Sequence, residues 1–250
     1  MKPRRLDYLL SRYGYCTRKE APKWLRKGRV TTIAGEVLHQ AKDKADPLEL
    51  LVDGAPIDYP GGYVVMLYKP AGYVCSHCLQ DGLRVFDFLP SQWLDRDPQP
   101  LSVGRLDKDT TGLLLLTDSG AFVHRMTSPK AKVEKVYHVQ VDRPLTADLI
   151  DVFAQGDLLL SGEDKPCQPA TLTIESEYEA RLSLWEGRYH QVKRMFAHFD
   201  YQVTQLHRSK FGAYELGDLP PGKYVTFPLS EDRYGGQWFT NGYCGRSGIP

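Results

Sequence analysis

The chain has 250 residues, 42% hydrophobic and 25% charged, with a formal net charge of +1. These are the proportions of an ordinary water-exposed protein, and the length allows one large domain or a small one followed by a large one. No N-terminal stretch joins basic residues to an apolar core and no apolar run approaches membrane length, so a cytoplasmic protein without a membrane partner is expected. Five cysteines at irregular spacing do not suggest a disulfide framework and fit a reducing compartment.

The net charge conceals an asymmetry. Residues 1–30 hold ten Lys or Arg against Asp7 and Glu20, a balance of +8 that leaves −7 for the rest of the chain. Clustered cations favour a polyanion, because neutralising phosphates releases counterions. Leu6, Leu9, Leu10 and Tyr13 recur at helical spacing before Gly14. Thr17 and Glu20 form a capping-box pattern for a second helix, with Ala21, Trp24 and Leu25 facing inward and Pro22 near its start. Gly28-Arg29-Val30 and Ala34-Gly35-Glu36-Val37 suggest a hairpin, Asp53-Gly54 a turn, and Asp58 to Gly62 a linker. By residue type alone this is a solvated helical pair. The pattern from Arg5 to Gly35 also resembles the S4-type RNA-binding domain, with Thr17, Pro22 and Thr31 to Ala34 departing from its common form. That resemblance makes Arg4, Arg5, Arg18, Lys19, Lys23, Arg26, Lys27 and Arg29 candidate RNA contacts.

Tyr63 to Lys69 reads as an apolar strand ending at Pro70-Ala71-Gly72. Cys75, His77 and Cys78 carry possible zinc ligands, but no second pair stands at finger-like spacing, so no metal site is assigned. The stretch GRLDKDTTGLLLLTDSG, Gly104 to Gly120, sets a polar loop containing Arg105, Asp107, Lys108 and Asp109 against the run Leu113 to Leu116. That run is short and bounded by turn residues, which favours a core strand holding polar groups at the edge of a rigid element. The other reading is an ordinary surface turn.

Ala121 to Met126 is expected to be helical, capped by Ser119 or Asp118. Ser128 to Lys132 reads as a basic loop, and Glu134 to Val141 alternates like a half-buried strand. Thr146 to Ala154 is a further helix, and Ala170 to Glu175 and Ala180 to Trp185 are strands able to pair. Glu186-Gly187-Arg188-Tyr189-His190-Gln191-Val192-Lys193-Arg194 leads into a helix. Leu206 to Gly212 reads as a strand with a basic edge, and Leu219 to Tyr224 as a turn into a last strand. Residues 231–250 are rich in Gly and aromatics without periodicity, and a poorly packed tail or added hairpin is expected there.

Gly104 to Thr117, with Lys69-Pro70-x-Gly72 before it and Lys135-Val136-Tyr137 and His190-Gln191-Val192-Lys193 behind it, resembles the pseudouridine synthases, specifically their RsuA branch, which modifies ribosomal RNA. The resemblance implies an α+β protein. It would comprise an S4-like domain over 1–60, a synthase domain over 61–230 with a mostly antiparallel mixed sheet and flanking helices, and the tail. It implies isomerisation of a uridine in small-subunit (16S) ribosomal RNA, with the target flipped out of its stack. It makes Asp107 the catalytic residue and Lys193 its cationic partner. Arg105 would fill the space left by the base, Tyr137 would pack on the uracil, and Arg194 would contact substrate. His190 is read as structural or substrate-contacting, and Lys69-Pro70 as scaffold beside the Asp107 loop. Without the resemblance, Tyr137 reads as a core tyrosine. No cofactor or metal is implied, and the expected partner of a monomeric chain is ribosomal RNA or a subunit assembly intermediate.

Two other readings compete. A non-catalytic RNA-binding or ribosome-assembly factor would use the basic arm equally well but has no need of Asp107, Tyr137 and Lys193 together. A metal-dependent RNA hydrolase would need Asp107, Asp109 and Asp118 to converge.

Overall fold

A computed structural model of the chain describes residues 1–229. The tail expected over 231–250 lies outside the described residues. The first sixty residues enclose a core of their own, with Leu6, Leu9, Leu10, Leu25, Val30 and Leu50 fully buried. Its elements are β1 (Arg4–Arg5), α1 (Leu6–Arg12), α2 (Ala21–Arg26), β2 (Val30–Thr32), β3 (Lys44–Ala45), β4 (Leu50–Val52) and β5 (Ala55–Pro56). The capping-box bonds form one turn before α2: Thr17 N donates to Glu20 Oε2 at 2.9 Å and Glu20 N to Thr17 Oγ1 at 3.3 Å. Asp53 and Gly54, both at positive φ, make the two-residue turn between β4 and β5.

This unit is seated on the segment around α3 (Ser91–Leu94). Gln92 Nε2 donates to Tyr13 O at 2.9 Å, Asp97 N donates to Arg12 O at 3.0 Å, and the Tyr13 hydroxyl donates to Pro60 O at 2.9 Å. Arg96, only 3% exposed, sits within 6 Å of the Tyr13, Tyr63 and Trp93 rings and donates to Asp58 O at 2.6 Å. A guanidinium so placed gains cation–π attraction while tying the linker down.

The rest of the described chain is built on one large, mostly antiparallel sheet with few helices. In chain order its elements are β6 (Tyr63–Lys69), β7 (Leu101–Val103), β8 (Thr111–Thr117), α4 (Gly120–Thr127), β9 (Lys135–Val141), α5 (Asp148–Gln155), β10 (Thr171–Ile174), β11 (Glu179–Leu184), α6 (Gln191–Ala197), β12 (Val203–Phe211), β13 (Tyr214–Glu215) and β14 (Tyr224–Pro228). The strand order is β10-β11-β9-β12-β8-β6-β14, with β13 beside β12 and β7 beside β8; only β12 and β8 run parallel. Leu113 to Leu116 are all 0% exposed because successive residues enter two different cores, one on each face of the sheet. Strand β9 is covered on one face only, hence its alternation: Lys135, Tyr137, Val139 and Val141 are buried and His138 is exposed. Ser119 caps α4, accepting from Phe122 N at 3.2 Å, while Asp118 accepts from Tyr63 N at 3.1 Å.

Strand β12 corrects the expectation of a basic edge. Its Arg208 is 2% exposed and lies inside the sheet, pairing with Gly112 of β8 on one side and Tyr137 of β9 on the other. Gly112 has φ +108°, and a Cβ there would stand 2.3 Å from Arg208 O. Gly112→Ala is therefore expected to cost ~2 kcal/mol or more in urea unfolding. Gly35→Ala, at φ +87° with open space around it, should cost only ~1 kcal/mol.

Candidate active site

Strands β6 and β8 end side by side, Lys69 opposite Gly112, and the Asp107 loop crosses that end of the sheet. Lys69 is fully buried and donates to Pro70 O at 3.1 Å, Lys108 O at 3.2 Å and Thr110 O at 2.7 Å. Burial pushes its pKa down to about 8. Gly72 N adds a bond to Lys108 O at 2.7 Å. The Lys69-Pro70-x-Gly72 segment is thus tied to the loop's carbonyls by the Lys69 side chain at one end and the Gly72 backbone at the other.

The loop's acids meet α6 across a cavity of about 630 Å³. Asp107 Oδ2 is 3.3 Å from Lys193 Nζ and Asp107 Oδ1 is 3.3 Å from His190 Nε2. Lys193 makes its shortest contacts with Asp109, at 2.6 and 2.8 Å, so the cation expected to serve Asp107 is shared between two carboxylates. Burial works against the charge of Lys193, but the two aspartates outweigh it and hold its pKa above 10.5. The hydrogen bond from Lys193 holds the Asp109 carboxyl below its ordinary 3.8.

His190 has left-handed backbone angles (φ +46°, ψ +35°) as it enters α6, and its ring stacks on Tyr189 at 3.8 Å between centroids. Beneath it Gln191 Nε2 donates to Glu186 Oε1 at 2.6 Å, Gln191 Oε1 accepts from Arg188 N at 2.9 Å, and Glu186 also accepts from Gln168 N at 2.9 Å. These buried bonds set the direction in which His190 and Lys193 leave the turn. The His-Gln-x-Lys spacing is the sequence signal for them, but it gave no hint of the supporting Glu186.

Tyr137 is 9% exposed and lines the same cavity, so the core and substrate-facing readings of this residue describe one position. Arg105 is exposed and also lines the cavity. Arg194 is not brought there: its guanidinium donates to Glu163 Oε1 at 2.8 Å, Ser161 O at 2.6 Å and Tyr189 O at 3.0 Å, fastening the loop before β10 to α6. The sequence showed it one position beyond Lys193 and could not show that one step along a helix turns a side chain about 100° away.

Asp118 is not brought there either. It stands beyond the far end of β8 from the Asp107 loop, ~20 Å along the strand at the usual rise per residue, and burial pushes its carboxyl up. The convergence of Asp107, Asp109 and Asp118 is therefore not formed. Cys75 Sγ packs against Leu106 N at 3.5 Å, His77 stacks on Phe86, and Cys78 is exposed. Among the described residues no group of three or more His, Cys, Asp or Glu stands close enough to hold a metal.

Of the candidate nucleic-acid contacts, Arg4, Arg18, Lys19, Lys23, Arg26 and Lys27 are exposed. Three are engaged internally: Arg5 Nη2 meets Asp7 at 2.7 Å, the exposed Arg18 Nη2 meets the same carboxylate at 3.4 Å, and Arg29 Nε donates to Asp53 at 2.7 Å with its guanidinium 3.3 Å over the Trp24 ring.

An acid with two cationic or potentially cationic neighbours, at the mouth of a cavity floored by a tyrosine, suits attack on an anionic polymer at a sugar or base. The comparisons with known proteins agree. The family model for RNA pseudouridylate synthase matches residues 63–198. The ribosomal small subunit pseudouridine synthase A of Pasteurella multocida is 41% identical over 229 residues, 91% of this chain and 97% of that protein. The protein of the same name from Escherichia coli K12 is 40% identical over 233 residues, with the same coverage. A solved structure described as a pseudouridylate synthase is 37% identical, covers 90% of this chain and 96% of its own, and superposes with a TM-score of 0.61. The chain belongs to the RNA pseudouridylate synthase family. It is an enzyme of that class, isomerising uridine to pseudouridine in RNA.

The shared cation yields a pH prediction. In a carbon-13 NMR titration the Asp109 carboxyl should titrate below 3.8, and Lys193→Met should move its midpoint back up. Because the folded-state pKa is the depressed one, the stabilisation is present above the unfolded value and is lost as pH falls through the folded one. Lys193→Met should therefore weaken the acid dependence of unfolding.

Proposed function

We propose that this enzyme isomerises one uridine of small-subunit (16S) ribosomal RNA, with Asp107 acting at the ribose. The observation that carries the role of Asp107 is its position at the cavity mouth, in contact with Lys193 and His190 and in the same cavity as Tyr137. A cation beside a carboxylate favours its ionised form as the polyanion arrives. An ionised carboxylate is the starting point both for attack at C1′ and for removal of a sugar proton. The choice of ribosomal RNA rests on the relatives, which are named as small-subunit enzymes.

Folded RNA hides the glycosidic bond, so the target nucleotide has to leave its stack at a cost of a few kcal/mol. Arg105, exposed at the cavity, is suited to fill the gap it leaves. Tyr137 offers its ring to the flipped uracil, a stacking contact indifferent to register along the RNA. Residues 1–60 serve as an S4-like RNA-binding unit, and the exposed cations Arg4, Arg18, Lys19, Lys23, Arg26 and Lys27 supply phosphate contacts that position the substrate without reading sequence.

Two experiments test this. Asp107→Asn should abolish pseudouridine formation, by at least a factor of ~1,000 on the scale of a lost catalytic group, while RNA affinity stays within twofold; retained turnover removes Asp107 from the mechanism. Replacing Lys19, Lys23, Arg26 and Lys27 together by Gln should weaken RNA binding and reduce the slope of log affinity against log salt by about 3 to 4. An unchanged slope would mean that the anchor lies elsewhere.

A further inference from the structure

The cavity floor holds positive charge that the roles above leave unused. Arg208 Nε donates to Leu113 O at 2.8 Å and Nη1 lies 3.5 Å from the Tyr137 hydroxyl; its guanidinium carbon is 4.9 Å from the Phe211 ring centroid, and among the described residues the buried Nη2 has no hydrogen-bond partner. Thr110, 1% exposed and also lining the cavity, buries a hydroxyl that has no partner among the described residues. Lys135, 8% exposed, donates to Val133 O at 3.0 Å; burial, and then the charge of Arg208, lower its pKa to about 8. The buried acid of this wall, Glu186, is occupied by Gln191, Gln168 N and Arg188. A buried guanidinium with an idle donor and no carboxylate beside it costs stability, and natural folds retain such groups where something else uses them.

We propose that Arg208, together with Thr110 of the same wall, receives the carbonyl edge of the flipped uracil and stabilises the negative charge that the base carries while detached. The proposal rests on the isomerase reading above. Tyr137 and Arg208 are partners in register across β9 and β12, with the guanidinium carbon 6.0 Å from the Tyr137 ring centroid, close enough to meet a carbonyl of a base that packs on that tyrosine.

The chemistry asks for such a group. The C1′–N1 bond breaks with both electrons going to N1, leaving uracil as a monoanion with charge spread over its two carbonyl oxygens. Rejoining uses an electron pair from C5 to form the C1′–C5 bond, and the proton lost from C5 balances the one gained at N1. No oxidant, reductant or further reactant enters. Between these events the anion turns in the cavity, and its carbonyls need donors that neither lose charge nor have to reorganise. An arginine is protonated at every working pH and offers a planar fork of donors. A preorganised donor aimed where charge develops contributes about 100- to 1,000-fold in rate.

The test compares leaving groups. Single-turnover cleavage of the N1-linked target nucleoside is measured on RNA carrying uridine or 5-fluorouridine at the target. Fluorine withdraws electrons and makes the base a better leaving anion. Arg208→Met should slow cleavage about 100-fold on uridine RNA with RNA affinity unchanged, and clearly less, below about 10-fold, on 5-fluorouridine RNA. Arg208→Lys, which keeps a charge and guards against misfolding of the Met variant, should fall between wild type and Met on uridine RNA and show the same narrowing. Equal losses on the two RNAs, or a loss confined to RNA binding, overturn the proposal and leave the isomerase reading standing. Wild-type protein that converts neither RNA overturns that reading, and the proposal with it.

Discussion

The ammonium of Lys69 holds the Asp107 loop to the sheet. It is fully buried, it has no carboxylate partner among the described residues, and it donates to the carbonyls of Pro70, Lys108 and Thr110. The Lys108 and Thr110 carbonyls flank Asp109, and Lys108 follows Asp107 directly, so the loop's acids inherit the rigidity of β6 and β8. Both strands are buried on both faces and cannot shift without opening two cores. The whole site is referenced to this corner: α6 brings Lys193 and His190 toward acids that are already fixed.

The sheet contributes more than support. Gly112, Arg208 and Tyr137 are neighbours across three adjacent strands, β8, β12 and β9, where the single parallel pairing of the large sheet occurs. A glycine is needed there because β12 passes so close that no Cβ fits. The close approach in turn places a guanidinium beside the tyrosine in the cavity floor. The cavity lining thus joins the loop acids Asp107 and Asp109, paired with Lys193, to the buried cations Lys135 and Arg208. The N-terminal unit is fixed to the same body by Arg96 among Tyr13, Tyr63 and Trp93, so its exposed cations hold a set position relative to the cavity.

Much of this was legible in the residues. Leu6, Leu9, Leu10 and Tyr13 announced α1, the uninterrupted Leu113 to Leu116 announced a core strand, and the alternation of Glu134 to Val141 announced a half-buried strand. The order of Lys69-Pro70, Asp107, Tyr137 and His190-Gln191-x-Lys193 named the family. Less visible was the division of labour among like residues. Arg194 and Lys193 are adjacent in the chain, yet one fastens a loop and the other meets the acids. Arg5 and Arg29 look like their neighbours in the basic arm but are spent on Asp7 and Asp53. Asp118 and Asp109 flank one strand and so stand at its two ends. Arg208 read as a surface charge because lysine and histidine surround it in sequence, whereas only one face of β12 carries them outward.

By itself the sequence determined the family and most of the elements and singled out Asp107, because periodicity, turn residues and motif spacing are local properties that a short window contains. Only the tertiary structure decided which cations meet which acids, that Lys193 serves Asp109 as well as Asp107, and that Arg208 is buried in the cavity wall with one donor unpartnered among the described residues. Those outcomes depend on strand order and register, which join residues up to a hundred positions apart. The partner of a charge is fixed by who stands across the sheet, and no stretch of chain carries that information alone.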